Sequence, residues 1–314
     1  MHSQIEKNKY LLSIIVPVYN EELVIKEFIR RIGLVIQKLN CSTEIIFVND
    51  GSEDATLDIL KEEKTTNEEI RIVNLSRNFG HQVAITAGMD CARGDAVVVI
   101  DADLQDPPEL ILAMVEKWKE GYEVIHAKRK RRLGETIFKT WTAIFFYRIM
   151  KGISNVDIPP DVGDFRLLSK KALNSLIQLR EKHRYIRGLV AWLGYKHTSI
   201  EYDRDKRFAG KTKYPLCKMI KFSAVGISSF SILPLRLATF LGFASAGLSF
   251  LTIGFAFYMK YILNHPVSAW VAAIIVILFL SGVQLICVGI LGEYIGFIHE
   301  ESKKRPLYIV ADEL

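Results

Sequence analysis

The sequence predicts a doubly wound α/β domain followed by two helices that span a membrane. Three observations carry this reading. Apolar runs of strand length alternate with helical patterns through the first hundred residues, polar clusters stand at the ends of those runs, and the charges are unevenly spread. Of the 76 charged side chains among 314 residues, 66 lie in residues 1–231 and four (Arg236, Lys260, Glu293, Glu300) in residues 232–300. The length allows roughly two domains at about 150 residues each. Half of the residues are apolar, so burial can offset the entropy of ordering, which excludes a disordered chain. Cys41, Cys91, Cys217 and Cys287 are scattered without a CxxC pair, which argues against a disulfide scaffold.

The elements follow in order. LLSIIVPVY (11–19) is a continuous apolar run of the kind a parallel strand covered on both faces requires. Pro17 interrupts it and no small-residue cleavage pattern follows, so it is not a signal peptide. Residues 21–39 carry Leu23, Phe28, Ile32, Val35 and Leu39 near helical spacing. A second strand, 43–48, ends in Asn49, Asp50, Gly51 and Ser52, and a helix spans about 54–64. Residues 70–75 form a third strand, 82–92 a helix, and 96–100 a fourth strand that ends at Asp101. Strands alternating with helices imply a parallel sheet whose ligands bind beyond the carboxyl ends of the strands.

Residues 237–259 and 261–292 hold no charge. A spanning helix needs about 20 apolar residues, so both runs are long enough. The spans are expected at about 236–259 and 268–292, joined by a turn containing Asn264, His265 and Pro266. Only Lys260 lies in that turn, whereas Lys218, Lys221 and Arg236 precede the pair and Lys303, Lys304 and Arg305 follow it. The positive-inside rule then puts both termini in the cytoplasm. The expected division is a cytoplasmic domain over 1–231, a two-helix membrane hairpin over 232–300 and a cytoplasmic tail over 301–314.

Neither GxGxxG nor GxxxxGK[ST] occurs, so the dinucleotide fingerprint and the P-loop do not apply. Asp101 and Asp103, two residues apart just past a strand, can converge on one hard cation. Mg²⁺ or Mn²⁺ held by one or two carboxylates and phosphate oxygens is the usual arrangement for nucleotide substrates. Gln105 can supply a neutral oxygen to the same ion. Asp50, at another strand end, can accept hydrogen bonds from a base or ribose, while Gly51 permits a sharp turn. Ser52 or Asp54 caps the following helix.

PVYNEE (17–22), VNDGSED (48–54), DADLQDPPE (101–109), DVGDFRLLSK (161–170) and RFAGKTKYP (207–215) together resemble one family. It comprises the dolichyl-phosphate mannose synthases and the bacterial polyprenyl-phosphate glycosyltransferases, which carry an inverting GT-A (Rossmann-like) domain. The resemblance covers residues 11–300, and the two C-terminal spans bring it nearer the bactoprenol glucosyltransferase branch. It implies that Pro17, Tyr19, Glu21, Val48 and Asp50 line the nucleotide. It also implies that Asp101, Ala102 and Asp103 meet the diphosphate, with Asp101, Asp103 and Gln105 as metal ligands. Arg129, Arg207 and Lys213 would contact phosphates of donor or acceptor, and Asp164 would face the reacting centre. Asp103, Asp164 and Arg129 are the catalytic candidates. Asn49 stands where many relatives have Asp, and Asp50 is expected to keep the nucleotide role.

Lys128, Arg129, Lys130, Arg131 and Arg132 form the densest charge run in the chain. A nucleic-acid patch is the alternative reading. Against it, Ile137, Trp141, Ile144, Phe145 and Ile149 recur at helical spacing among Lys139, Arg148 and Lys151, the pattern of an interfacial membrane helix over about 135–152. A second such helix is expected over 214–231. A phosphate monoester is mostly dianionic at pH 7, since its second pKa is about 6, so the acceptor needs no base. Asp164 then orients or stabilises charge, and His81, in RNFGHQ, reads as a structural or loop histidine.

The resemblance implies an enzyme that moves a hexose, glucose from UDP-glucose by the commonest donors of the family, onto undecaprenyl or another polyprenyl phosphate. The site of action would be the cytoplasmic face of the inner (plasma) membrane, with Mg²⁺ or Mn²⁺ as cofactor. GDP-mannose, UDP-N-acetylglucosamine or a modified arabinose donor is the alternative. The nucleotide sugar, the lipid and the membrane are the expected partners, and nucleic acid is not. A homo-oligomer, a downstream flippase and a second glycosyltransferase complete the expectation. A processive synthase would carry a QxxRW-like segment, where this chain has RYIRGLVAWLGY (184–195). The remaining class, a non-catalytic scaffold or flippase partner, is disfavoured by the intact DAD, GDFR, Arg207 and Lys213.

Overall fold

The structure is a computed structural model and describes residues 10–130, 162–203, 233–262 and 269–314. The chain divides into two units, Met1–Phe222 with Pro306–Leu314, and Ser223–Arg305. The expected helices over 135–152 and 214–231, and the turn with Asn264, His265 and Pro266, lie outside the described residues.

The first unit is built on a mixed sheet. Its strands are β1 (Leu11–Val18), β2 (Ser42–Asn49), β3 (Ile70–Leu75), β4 (Ala96–Val99), β5 (Val124–Arg129), β6 (Val162–Ser169), β7 (His197–Tyr202) and β8 (Val310–Glu313). Their order is β7-β5-β6-β4-β1-β2-β3-β8. β1 pairs in parallel with β2 and β4, β2 with β3, and β5 with β7, while β6 and β8 run antiparallel to their neighbours. The chain leaves β1 toward β2 and β3, then returns to lay β4 on the other side of β1. That reversal makes the crevice between the ends of β1 and β4 the expected ligand site.

The apolar reading of 11–19 holds because β1 is central and covered on both faces. Leu12, Ile14 and Val16 join a core completed by α1 (Ile25–Ile36), α2 (Thr56–Thr66) and α4 (Leu110–Lys119). α1 contributes Ile25, Phe28, Ile32 and Val35, the three-to-four spacing that puts one stripe on the sheet. α3 (His81–Cys91) lies on the other face, so close that a Cβ at Gly88 would come 2.3 Å from Ile15 Cγ2 and 3.1 Å from Val48 Cγ2. α5 (Lys170–Gln178) starts directly from β6, with Ser169 Oγ accepting from Ala172 N at 3.1 Å as its cap. α6 (Ile186–Trp192) follows.

The sequence reading assigned no strand beyond β4. β6 escaped it because a fully buried strand that contains Asp164 and Arg166 does not read as apolar. β8 escaped because it is short and exposed. Residues 306–314, expected as a tail, belong to the first unit. β8 lies along the β3 edge, with Ile72 N donating to Leu314 O at 2.8 Å and Ser76 N to Ile309 O at 2.9 Å.

The second unit holds α7 (Leu233–Tyr261) and α8 (Ala269–Ser302). Both are long and apolar enough to cross a membrane, over Ala238–Met259 and Phe279–Ser302. Large apolar side chains point outward, with Phe250 78% and Trp270 81% exposed, as on a helix that faces lipid. Ala238 and Ser245 are buried instead, and Cys287 Sγ lies 3.3 Å from Ala238 O. Small residues at such a contact let two helix backbones approach. α8 continues ten residues past the expected end at 292. Glu293, His299 and Glu300 are compatible with helix, and the next proline is Pro306.

Candidate active site

The site residues gather at the carboxyl ends of the parallel strands. Pro17 and Val48 are the penultimate residues of β1 and β2 and are buried there, and Tyr19 and Glu21 stand just beyond β1. The loop after β1 is stitched to the loop after β2. Asn20 N donates to Ser52 Oγ at 3.0 Å, Glu21 N to Thr56 Oγ1 at 2.8 Å, and Glu53 N to Asn20 Oδ1 at 2.8 Å. Asp54 Oδ1 accepts from Thr56 N at 3.0 Å just before α2, whose N-cap position falls on Ala55 rather than on the expected Ser52 or Asp54.

Asp50 is buried, and both of its oxygens accept backbone donors, Phe79 N at 2.7 Å and Gly80 N at 2.9 Å. It thereby holds the entry to α3. Gly51 has φ +68°, and a Cβ there would lie 2.6 Å from Arg77 C and from Asn78 N. No other residue lets these two loops touch. Asn49 is occupied as well, its amide donating to Asn74 Oδ1 at 2.8 Å.

The DAD turn follows β4. Ala102 and Leu104 are buried, and Leu104 adopts a left-handed φ of 57°. Such a φ costs a non-glycine residue of order 1–3 kcal/mol and persists only where its surroundings over-determine it. Asp103 Oδ1 accepts from Gln105 N at 3.1 Å. Asp101 Oδ1 is buried without a hydrogen bond among the described residues, and His81 Nε2 lies 3.5 Å away. Burial, with Asp164, Asp106 and Asp103 nearby, pushes the Asp101 pKa up to about 6 against the pull of His81.

Asp164, the third residue of β6, faces nitrogens of four side chains. Oδ1 faces Arg187 Nε at 3.1 Å and Arg166 Nη2 at 3.3 Å. Oδ2 faces Arg187 Nη2 at 3.0 Å, Gln82 Nε2 at 3.2 Å and His81 Nε2 at 3.4 Å. Burial would raise its pKa, but Arg187 and His81 hold it well below the ordinary carboxylate range. Burial would lower the His81 pKa, and Asp101 and Asp164 instead raise it to about 9. Arg166 is fully buried, and burial brings its pKa down to about 10.

Arg129 ends β5 on the same side of the sheet. Its Nε donates to Tyr202 Oη at 3.2 Å, and Nη2 lies 3.7 Å from Asp106 Oδ1. Arg207 and Lys213 lie outside the described residues. The structure thus gathers Asp50, Asp101, Asp103, Asp164 and Arg129 at one end of the sheet, and adds residues not expected in the site. His81, expected as a loop or structural histidine, starts α3 and stands between two carboxylates. Gln82, Arg187, Asp106 and Tyr202 were not named as site residues. Arg166 stood inside the quoted GDFR, and Arg187 in the segment compared with QxxRW; their distance from the DAD in sequence hid the contacts.

The donor set fits a hard divalent cation. Asp101 carries an unbonded buried oxygen, and Asp103 and Gln105 share its turn. Among the described residues no group of three or more His, Cys, Asp and Glu is arranged around one point. Two carboxylates and an amide in one turn are a set that an ion can complete with phosphate oxygens and water.

Residues 13–177 match Glycosyl transferase family 2. The chain is 52% identical to the "Uncharacterized glycosyltransferase YkcC" of Bacillus subtilis, over 95% of this chain and 92% of that protein. It is 39% identical to the bactoprenol glucosyl transferase of Shigella phage SfV, over 96% of this chain and 98% of that protein. Glucosyl-3-phosphoglycerate synthase from Mycobacterium tuberculosis matches with a TM-score of 0.48 at 21% identity, over 71% of this chain and 79% of that one. The family match runs from β1 into α5 and includes the Asp50 loop, the DAD turn and Asp164, so the chain belongs to glycosyl transferase family 2.

Proposed function

We propose that the protein transfers a hexosyl residue, glucose from UDP-glucose, to undecaprenyl or a related polyprenyl phosphate at the cytoplasmic face of the membrane. The observation that carries this is the 39% identity to a bactoprenol glucosyl transferase along nearly the whole of both chains, the two apolar helices included. The crevice supports it chemically. A phosphate monoester with a second pKa of about 6 is its own nucleophile at pH 7. One of its oxygens attacks the anomeric carbon, the bond from that carbon to the diphosphate oxygen breaks, and the electron pair leaves with the nucleoside diphosphate, inverting the centre. No proton has to be removed, in keeping with an Asp164 held ionised by Arg187 and His81.

Asp101, Asp103 and Gln105 would hold Mg²⁺ or Mn²⁺, which supplies positive charge to the departing diphosphate. Arg129, Arg207 and Lys213 supply further positive charge for phosphates. Asp50 anchors the α3 entry beside the nucleotide. The two-span topology is supported by β8. The pairing of β8 with β3 favours an even number of crossings between them, and the Lys and Arg flanking the helices favour the cytoplasm for both ends.

The test is incubation of the full-length protein with radiolabelled sugar nucleotides, undecaprenyl phosphate and Mg²⁺ or Mn²⁺, followed by lipid extraction. Label from UDP-glucose should enter the organic phase. Label from GDP-mannose, UDP-N-acetylglucosamine or an arabinose donor instead would change the sugar, and none from any donor would refute lipid transfer. Asp103→Ala should abolish transfer with the melting temperature kept; retained activity would refute the metal assignment.

A further inference from the structure

The geometry points to Asp106 and Tyr202 as positioning residues that aim the Arg129 guanidinium at the acceptor phosphate; this rests on the polyprenyl-phosphate reading above. Asp106 is the last carboxylate of DADLQD and is buried as a whole residue, at 1% exposure, where Asp101 and Asp103 are only partly so. Its Oδ1 accepts a hydrogen bond from Tyr202 Oη, and the same hydroxyl accepts from Arg129 Nε at 3.2 Å. Tyr202 closes β7 and is itself buried, its ring edge-on to Phe165 with centroids 6.4 Å apart. On the remaining side Arg129 Nη2 would stand 3.2 Å from a Cβ at Gly163, so the guanidinium lies close against the β6 backbone.

The arrangement is not that of a simple ion pair. An arginine that serves only to neutralise a buried carboxylate usually grips it with two short parallel bonds. Here the carboxylate stands 3.7 Å from Nη2, and the short link to it runs through the tyrosine hydroxyl. Asp106 therefore supplies the counter-charge and Tyr202 the orientation, without spending the planar fork that matches a phosphate. Among the described residues Nη1 makes no hydrogen bond, and the side chain keeps 23% of its surface exposed.

Position favours the acceptor over the donor diphosphate. β6 separates β5 from β4, so Arg129 lies about two strand spacings, roughly 10 Å, from the strand that leads into the DAD turn. From Arg129 the chain runs straight into Lys130, Arg131 and Arg132 and the stretch read as facing the bilayer. Asp106, at the end of the DADLQD turn, ties the donor loop to this cation, so the two substrate sites share one rigid link.

Full-length Tyr202→Phe, Asp106→Asn, Arg129→Met and the double variant Tyr202→Phe/Arg129→Met are to be assayed with undecaprenyl phosphate and the sugar nucleotide that labels lipid. Tyr202→Phe keeps the ring and removes the link. A lost hydrogen bond to a charged group should raise KM for the lipid about tenfold, with KM for the sugar nucleotide changed less than about twofold. The double variant should be no worse than Arg129→Met alone, and Asp106→Asn should move the lipid KM in the same direction. If Arg129→Met raises the lipid KM but Tyr202→Phe does not, or if their effects simply multiply, the positioning role is wrong while the Arg129 reading stands. If Arg129→Met moves the sugar-nucleotide KM instead, Arg129 serves the donor and the inference fails with that reading. Because Tyr202→Phe preserves packing, an unchanged melting temperature beside a raised lipid KM separates positioning from a merely structural role.

Discussion

Asp164 has two oxygens and five nitrogen neighbours from four side chains, which makes it a poor base and a good anchor. Arg187 contributes two of those nitrogens, so Arg187→Met should cost about 2 kcal/mol of stability. It should also cut kcat about a hundredfold by loosening the reacting centre. Arg187→Lys should recover little, because an ammonium cannot grip both oxygens in the same fork; melting curves and initial rates check both. His126 gives a pH prediction in the same neighbourhood. It is buried on β5 opposite Arg166, and burial, with Arg166 and His197 nearby, pushes its pKa down to about 3. The unfolded chain then takes a proton near pH 6.5 that the folded one refuses. Stability should fall as pH drops from about 6.5 toward 3, and His126→Phe should flatten that slope in melting temperatures measured across the range. Neither prediction could be read from the sequence. Arg187 and His126 become informative only beside Asp164 and Arg166, and no spacing rule connects positions so far apart.

At the scale of the element, α3 is the part most tightly fitted to its place. It rests on β1 and β2 through Gly88 and carries His81 and Gln82 at its first turn, with Asp50 holding the two amides before it. Gly88→Ala should push the helix from Ile15 and cost about 1–3 kcal/mol. It should also lower transfer activity, because His81 and Gln82 would leave Asp164; calorimetry and the lipid-extraction assay check the two effects together. The helix itself was legible in the sequence, within a residue of its start, from the alternation of strands and helices on either side of it. Its role was not, since a glycine inside a helical pattern looks the same whether it meets a sheet or water. β6 is the converse case. Asp164 in this buried strand is ion-paired with Arg166 and Arg187, which offsets the cost of burying its charge although the sequence looks like a polar loop.

For the whole molecule, β8 joins residues that follow the last apolar helix to the first unit. Arg71 bonds Glu44 at 2.8 Å and Glu313 at 2.7 Å, and Tyr308 Oη bonds Asp90 at 2.8 Å, which adds side-chain contacts to the strand pairing. Removal of residues 306–314 should expose the β3 edge, lower the melting temperature by several degrees and promote aggregation, measured by light scattering of the protein in detergent. The uneven charge, the alternation of strands and helices, the two apolar runs and the motif chemistry were determined by the sequence itself. Each depends on composition or on a period of a few residues, which a chain displays without folding. The tertiary structure alone decided the strand order that inserts antiparallel β6 between β5 and β4. With that order came the clamp of His81, Gln82, Arg166 and Arg187 on Asp164, the Asp106–Tyr202–Arg129 link, and the use of residues 306–314 as an edge strand. These are pairings between distant positions, and their partners are chosen by the free energy of burying charge and backbone together, which no local pattern records.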